Sequence, residues 1–527
     1  MTTKKRSSGL KLALKTSVVS GMTLISRILG LVRDVVFARY FGASLVMDAF
    51  LVAQRIPNML RRFFAEGAFS AGFIPVMARY REKHDHEEAR EFVDAVAGTF
   101  GIFLFLVTLA GVIASPLLVL IVAPGFVGDG GDFDLAALML RFTFPYLLFV
   151  SLTAFAGGIL NTYGRFGVPA FTPVILNVVL IVAAVWVSPL LEQPVMALAY
   201  AILIAGICQL LFQLPFLARI HAFPRPIWAP RHEGVRRAFR LMVPAIFGSS
   251  VAQINVLIGG IIASLLPVGS ISYLYFSDRL MEFPLGLFGI ALATVTLPTL
   301  SRLWASADKS EFSQTLDWSM KLAILIAVPA AAGLILLAGP LIATMFYGGI
   351  FNEHSVGMTT LALRAYAIGL IGFSFVKILA PAFFAREDTR TPVRVGLVAL
   401  GANLLLSVAS AWYLTSVDFV GPHVGLAAAT SAAAILNAGL LYRGLHKDGV
   451  MRHSAGWLAL MARVVAANAA MCAVLLQVSR PLEWWLGVGL SDRVLWLSVS
   501  VVAGAATYFL ALLILGMRPS QFQLRAH

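Results

Sequence analysis

Runs of about 20 mostly apolar residues recur from one end of this chain to the other, separated by short polar loops. A helix of about 20 residues crosses the ~30 Å hydrocarbon core of a bilayer. In lipid every backbone N–H and C=O must find a partner within the protein, which a helix provides. Spans of this kind fall at roughly 16–41, 46–79, 89–122, 134–162, 168–187, 195–218, 237–265, 271–303, 312–346, 356–385, 391–414, 424–442, 456–478 and 492–515. The reading is therefore an all-α polytopic membrane protein with about fourteen transmembrane helices. Composition agrees: 59% of the 527 residues are hydrophobic and 13% are charged, against about 25% charged in soluble domains. The polar segments are too short to form a separate soluble domain.

The net charge of +14 does not point to nucleic acid, because its distribution explains it. The loops near 42–47, 123–133, 188–194, 266–270, 347–355 and 415–423 contain no Lys or Arg, whereas the alternate loops carry Arg79, Arg81, Lys83 and Arg90, then Arg165, the cluster Arg219 to Arg237, Lys309, Arg386 and Arg390, and Arg443, Lys447 and Arg452. This is the positive-inside pattern, and it puts both termini in the cytoplasm. Only the last outer loop, with Arg480 and Arg493, breaks it. The basic start MTTKKRSSGLKLALK leads into a run interrupted by Ser17, Ser20, Thr23, Ser26 and Arg27, which reads as a retained first helix rather than a signal peptide. Cys208 and Cys472 sit inside apolar runs and imply neither a disulfide framework nor a metal site.

An internal repeat is visible at an offset of 223: Pro75 and Arg79 match Pro298 and Arg302, Arg141 matches Arg364, and Pro169 matches Pro392. Six helices per copy, an even number, gives both copies the same orientation, with the repeat axis along the membrane normal. The expected organisation is two pseudo-symmetric six-helix lobes, 1–218 and 241–445, joined by a basic linker, 219–240, and followed by a C-terminal helix pair with its tail, 446–527. Pro224, Pro226 and Pro230 break the linker, and Val235 to Leu241 is expected on the membrane surface.

Against this apolar background Ser26 to Phe69 stands out. It holds Arg27, Arg33, Asp34, Arg39, Asp48, Arg55, Arg61, Arg62 and Glu66, and each charge at the centre of a span costs about 2.5–3.5 kcal/mol on insertion scales. By helical rise, Arg27 sits ~16 Å deep, Arg61 ~20 Å and Arg279 ~12 Å, too deep to reach a surface comfortably. Arg33 lies nearer the outer edge. The repeat does not copy these charges: Arg27 becomes Ser250, Arg61 becomes Pro284 and Glu66 becomes Gly289. The second copy instead brings Asp278, Arg279 and Glu282. Arg27 and Asp34 share a helix face, as do Asn58 and Arg61, and Arg279 and Glu282; Arg62 and Glu66 have pairing distance. The carboxylates would hold guanidinium groups in place, and the surplus arginines would meet an anion. Arg suits phosphate because its planar fork binds two oxygens together. A network of ion pairs that only fixes helix packing is the other reading of the same residues.

Asp129, Asp132 and Asp134 read as a solvated outer turn and a helix cap, and Lys377 is a candidate second-copy cavity charge. The nine histidines have no ligand spacing and no Walker-type segment is present, so no metal, cofactor or ATP site is expected.

SRILGLVRD (Ser26 to Asp34), DAF (Asp48 to Phe50), PNMLRRFFAEGAF (Pro57 to Phe69) and SDRLMEFPLGLFGIAL (Ser277 to Leu292) closely resemble the lipid II flippases of the MurJ (MviN) family, in the multidrug/oligosaccharidyl-lipid/polysaccharide exporter superfamily. The likeness runs nearly end to end. It implies two lobes around a central cavity and a terminal helix pair forming a groove for a lipid tail. The implied substrate is lipid II, the undecaprenyl-pyrophosphate-linked peptidoglycan precursor, moved from the inner to the outer leaflet of the bacterial inner membrane by alternating access. Membrane lipids and other cell-wall synthesis proteins are the implied partners. It also implies that Arg27, Arg33, Arg61 and Arg279 bind substrate, with Asp34, Asp48, Asn58, Arg62, Glu66 and Glu282 as supporting positions. Some relatives resemble sodium-coupled carriers with acidic ligands in helices 7 and 11; here helices 7, 11 and 12 contain no Asp or Glu, so the coupling ion stays open. So do two alternatives: a flippase for another polyprenyl-linked glycan, or a membrane enzyme acting on polyprenyl pyrophosphate.

Overall fold

The computed structural model describes residues 2–83, 86–128, 132–451 and 454–517, and no β-strand occurs among them. The chain divides into two compact units, Met1–Val268 and Gly269–His527.

The first unit holds α1 (Thr2–Phe41), α2 (Leu45–Arg61), a π-helical turn (Arg62–Gly67), α3 (Ala68–Lys83), α4 (His86–Ile113), α5 (Ser115–Val122), α6 (Phe133–Thr143), α7 (Tyr146–Thr162), α8 (Gly167–Val182), α9 (Met196–Arg219) and α10 (Glu233–Ser264). Its core is aromatic. Phe69 stacks on Phe73 at 4.9 Å, Phe73 on Phe92 at 5.7 Å, and Tyr80 on Phe92 at 4.6 Å, joining α3 to α4. Helix α10 packs on α3, and Gly72 permits the close crossing: a Cβ there would come within 2.4 Å of Met242 and 2.6 Å of the Ala238 carbonyl.

The second unit holds α11 (Ser270–Ala305), α12 (Lys309–Met345), α13 (Glu353–Phe384), α14 (Arg390–Ser416), α15 (Val424–Lys447), α16 (Trp457–Val478), α17 (Leu482–Gly487) and α18 (Leu490–Ile514). α13 lies between α12 and α15, and α16 and α18 pack on each other and on α12. Asp317 on α12 fastens the start of α16. It accepts hydrogen bonds from Ser454 at 2.5 Å and the Trp457 indole at 2.6 Å, and pairs with Lys321 at 3.0 Å.

Prolines inside the spans leave carbonyls without their usual N–H partners, and the structure shows what answers them. Pro57 frees the Ala53 carbonyl, which accepts from the buried Thr143 hydroxyl at 3.1 Å. Pro116 frees the Val112 carbonyl, which accepts from Ser115 at 2.9 Å, and Ser115 in turn accepts from Arg141 Nε at 3.2 Å. In the second unit Arg364 Nε donates directly to the Ile335 carbonyl at 3.2 Å, although the residue four on is Gly339 and not a proline. Arg141 and Arg364 are 223 residues apart, and so are Val112 and Ile335. The repeat offset thus relates two arginine-to-carbonyl links, one through a serine and one direct.

Ten helical stretches among the described residues are long and apolar enough to cross a membrane, against fourteen expected. The other four expected spans coincide with α1, α2–α3, α10 and α11. All four are helical, and a π-helical turn interrupts α2–α3. The basic linker is partly irregular and partly helical. Its extended part covers 222–229, and α10 is already helical from Glu233, so Val235 to Leu241 forms the first turns of a long helix.

Candidate anion-binding site

The first unit builds its charged region from α1, α2, α8 and α10. On α1, Arg33 and Asp34 form a buried ion pair: Nη2 lies 2.7 Å and Nε 3.0 Å from the same carboxylate oxygen, with the side chains 11% and 3% exposed. Asn177 on α8 accepts from Arg33 Nη1 at 3.0 Å and donates its own amide to the Ser26 carbonyl at 3.0 Å. Phe37 lies beneath the guanidinium, 5.6 Å from ring centroid to Cζ. Arg33 is therefore held on several sides, as a buried charge requires. Asp34 shares a face with Arg27 by spacing, yet the residue it binds is its neighbour Arg33.

Arg27 is exposed and forms no ion pair among the described residues. It lies one turn and a half before the Arg33 pair, on the same helix. Asp48 is buried, 3% exposed, in the first turn of α2, where a carboxylate is favoured by the helix dipole. Asn58 and Arg61 are half-buried near the end of α2. There the helix passes from the Pro57 kink into the π-helical turn, and one-turn π segments often mark functional positions. Arg62, exposed, donates to Gln253 Oε1 on α10 at 3.4 Å. Its expected partner Glu66 lies in the π-helical turn, and that side chain is outside the described residues, as is Asp129.

In the second unit Arg279 and Glu282 pair at 3.2 Å, but both are well exposed, 40% and 52%. The Arg279 guanidinium also lies over the Tyr275 ring at 5.0 Å. Lys377 on α13 donates to the Leu285 carbonyl of α11 at 3.5 Å, less than two turns beyond Arg279. Among the described residues no group of three His, Cys, Asp or Glu is placed to hold a metal ion.

Three participants were absent from the expected set: Asn177, Gln253 and Tyr275. The first two had a signal in the sequence: Asn177 is a lone amide in an apolar run (FTPVILNVVLIV), and Gln253 is one of two amides, with Asn255, in SSVAQINVLIG. Tyr275 is four residues before Arg279, at the spacing that stacks side chains on one helix face.

Chemically, this set offers guanidinium groups in two conditions. Arg33 is pre-oriented with its charge already answered. Arg27 and Arg279 are accessible, so an oxyanion can reach them without first breaking a buried pair.

The family model described as Lipid II flippase MurJ matches residues 37–495. The chain is 45% identical over 508 residues to the probable lipid II flippase MurJ of Vibrio cholerae serotype O1, covering 95% of each protein. It is 41% identical over 513 residues to the lipid II flippase MurJ of Burkholderia cenocepacia, covering 96% of this chain and 98% of that one. A solved structure, lipid II flippase MurJ in an inward closed conformation, superposes with a TM-score of 0.77 at 26% identity over 94% of this chain and 98% of that one. An inward-facing multidrug resistance MATE family transporter superposes with a TM-score of 0.67 at 16% identity, over 82% of this chain and 98% of that one, which is a likeness of fold.

Proposed function

Because this chain belongs to the MurJ family of lipid II flippases, matched by the family model over residues 37–495, we propose that it moves lipid II across the bacterial inner membrane. The observation that carries the reading is the likeness to curated relatives over nearly the whole of both chains. The protein is a multi-pass membrane transporter, and flipping serves peptidoglycan synthesis. Both termini lie in the cytoplasm in this reading, as the alternation of basic loops indicates. About fourteen helices cross the membrane, arranged as lobes 1–218 and 241–445 with the linker 219–240 and the terminal segment 446–527.

The pyrophosphate is the part of lipid II that most resists crossing a hydrocarbon core, and arginines on α1, α2 and α11 take over its solvation. Arg27 and Arg279 bind its oxygens directly, because their guanidinium groups are accessible. Arg33, fixed by Asp34 and Asn177, is a pre-oriented guanidinium whose charge is already answered. Arg61 at the π-helical turn completes the set, and Asp48, Asn58, Arg62, Glu66 and Glu282 keep it oriented. The prenyl tail stays in lipid. Access alternates by bending where prolines and the π-helical turn already interrupt the helix ladder, at Pro57 and Pro284.

The test is a leaflet-accessibility assay with lipid II in vesicles, ion gradients and membrane potential being varied separately. Time-dependent exposure of intact lipid II, lost in Arg27→Ala and Arg279→Ala, is the expected result. Exposure of a chemically altered lipid, or normal growth with either variant as the sole copy, would overturn it. Repeating the assay with another polyprenyl-linked glycan separates lipid II from related substrates.

A further inference from the structure

Between α9 and α10 the chain does not hang free. Residues 222–229 run extended across α4 and are fastened to it at three points. Asp94 accepts the Arg225 backbone N–H through its carboxylate at 2.6 Å, and the Ile227 N–H through its carbonyl at 3.0 Å. Thr99 accepts the Ala229 N–H at 3.3 Å. Between these anchors the Ile227 backbone rests directly on Gly98, where a Cβ would come within 2.2 Å of it. Any side chain at position 98 pushes the strap away.

The strap's position along α4 says what it faces. The exposed apolar band of α4 begins at Ile102 and continues through Phe103, Phe105, Leu106 and Leu109. Ile102 is four residues beyond Gly98, about 6 Å along the axis. The strap therefore crosses α4 at the edge of the hydrocarbon layer, the level of lipid headgroups. Its outward side chains suit that level. Trp228 and Ile227 are 58% and 51% exposed, and aromatic residues concentrate at membrane interfaces. Arg225 and Arg231 flank them, and Arg236 and Arg237 project from the first turns of α10, whose opposite face buries Val235, Ala238 and Met242. All four arginines are exposed and none forms an ion pair among the described residues. The nearby exposed acids are Glu233 at the start of α10 and Glu87, Glu88 and Glu91 on α4. The three on α4 lie seven or more residues before Gly98, about 10 Å or more further from the apolar band.

We propose that the strap and the first turns of α10 form a binding site for the headgroup of an anionic phospholipid, with Arg225, Arg231, Arg236 and Arg237 around the phosphate and Trp228 in the interfacial layer. Basic segments beside a membrane gain affinity for anionic lipid with each added arginine; here the backbone is already fixed, so little ordering cost opposes the contact. In the proposed orientation this is the cytoplasmic leaflet.

The experiment uses the full-length protein in detergent, with phosphatidylglycerol and phosphatidylethanolamine as probes and native mass spectrometry as the readout. The wild type is expected to retain phosphatidylglycerol over phosphatidylethanolamine by about fivefold or more. The quadruple variant Arg225→Gln, Arg231→Gln, Arg236→Gln and Arg237→Gln is expected to bring that ratio to about one, and Gly98→Leu to lower it by displacing the strap. A control with Lys309→Gln, Arg443→Gln and Lys447→Gln is expected to keep it. In nanodiscs, brominated phosphatidylglycerol is expected to quench a fluorescence component that Trp228→Phe removes. Equal retention of both lipids by the wild type, an undiminished preference in the quadruple variant, or an unquenched Trp228 would each overturn the proposal. Neither readout involves lipid II. Lost preference with flipping intact supports the site, and lost flipping with preference intact counts only against the transport reading.

Discussion

Two arginine–carboxylate pairs, one in each unit, are alike in chemistry and opposite in setting. Arg33 and Asp34 on α1 meet at 2.7 Å almost out of reach of solvent, with Asn177 and Phe37 closing the other sides. Arg279 and Glu282 on α11 meet at 3.2 Å with about half of each side chain exposed. The first pair is buried enough that breaking it strands a charge. The second is a loose tether, and pairs of its kind contribute little to stability. An anion reaching Arg279 would compete only with the exposed Glu282, whereas one reaching Arg33 would have to unmake a buried arrangement. Similar pairs thus divide into one that is locked and already neutralised and one that can let go.

That division is open to breakage, beginning where the effect should be greatest. Arg279→Ala or Arg27→Ala should lower lipid II flipping in vesicles by tenfold or more, since charge-assisted contacts of about 1.5–3 kcal/mol are lost, while the unfolding midpoint in detergent hardly moves. If both fall together, the exposed arginines are structural and the contrast fails. Asp34→Asn should instead destabilise the protein by about 3 kcal/mol, read as thermal unfolding. The double variant Arg33→Leu and Asp34→Leu should regain much of that stability without regaining transport.

A buried neutral group gives a third point of reference in the second unit. His423, just before α15, is buried and bonded to the Met358 carbonyl at 3.0 Å, and burial pulls its pKa down to about 4. Its folded pKa lies below the unfolded value of about 6.5, so its contribution is complete above pH ~6.5 and is lost as pH falls toward 4, by about 3 kcal/mol. His423→Gln should flatten the stability profile between pH 6.5 and 4. The smallest effect is reserved for Glu282→Gln: stability should change by less than about 1 kcal/mol, with any change appearing in the apparent affinity for lipid II.

Much of the scaffold could be read before any coordinates. Helix positions follow from the length of apolar runs, since a bilayer sets that length for every span alike. The repeat offset was legible from Pro and Arg positions, and one matched pair makes related contacts: Arg141, through Ser115, and Arg364 reach carbonyls 223 residues apart, Val112 and Ile335. The docking of the linker on α4 was not legible, because it rests on one glycine, one threonine and one aspartate, residue types that carry no signal for a distant backbone. The partners of the charges were likewise hidden. Spacing puts Asp34 on the face of Arg27 and Arg62 within reach of Glu66, but α8 and α10 supplied Asn177 and Gln253, helices more than a hundred residues away.

From the sequence alone came the membrane-spanning class, the family likeness, and the positions of arginines within apolar runs, because the cost of charge in an apolar run is a local property. Tertiary structure alone decided which guanidinium groups are locked and which are accessible. Burial and hydrogen-bond partners depend on neighbouring helices that one-dimensional spacing does not specify.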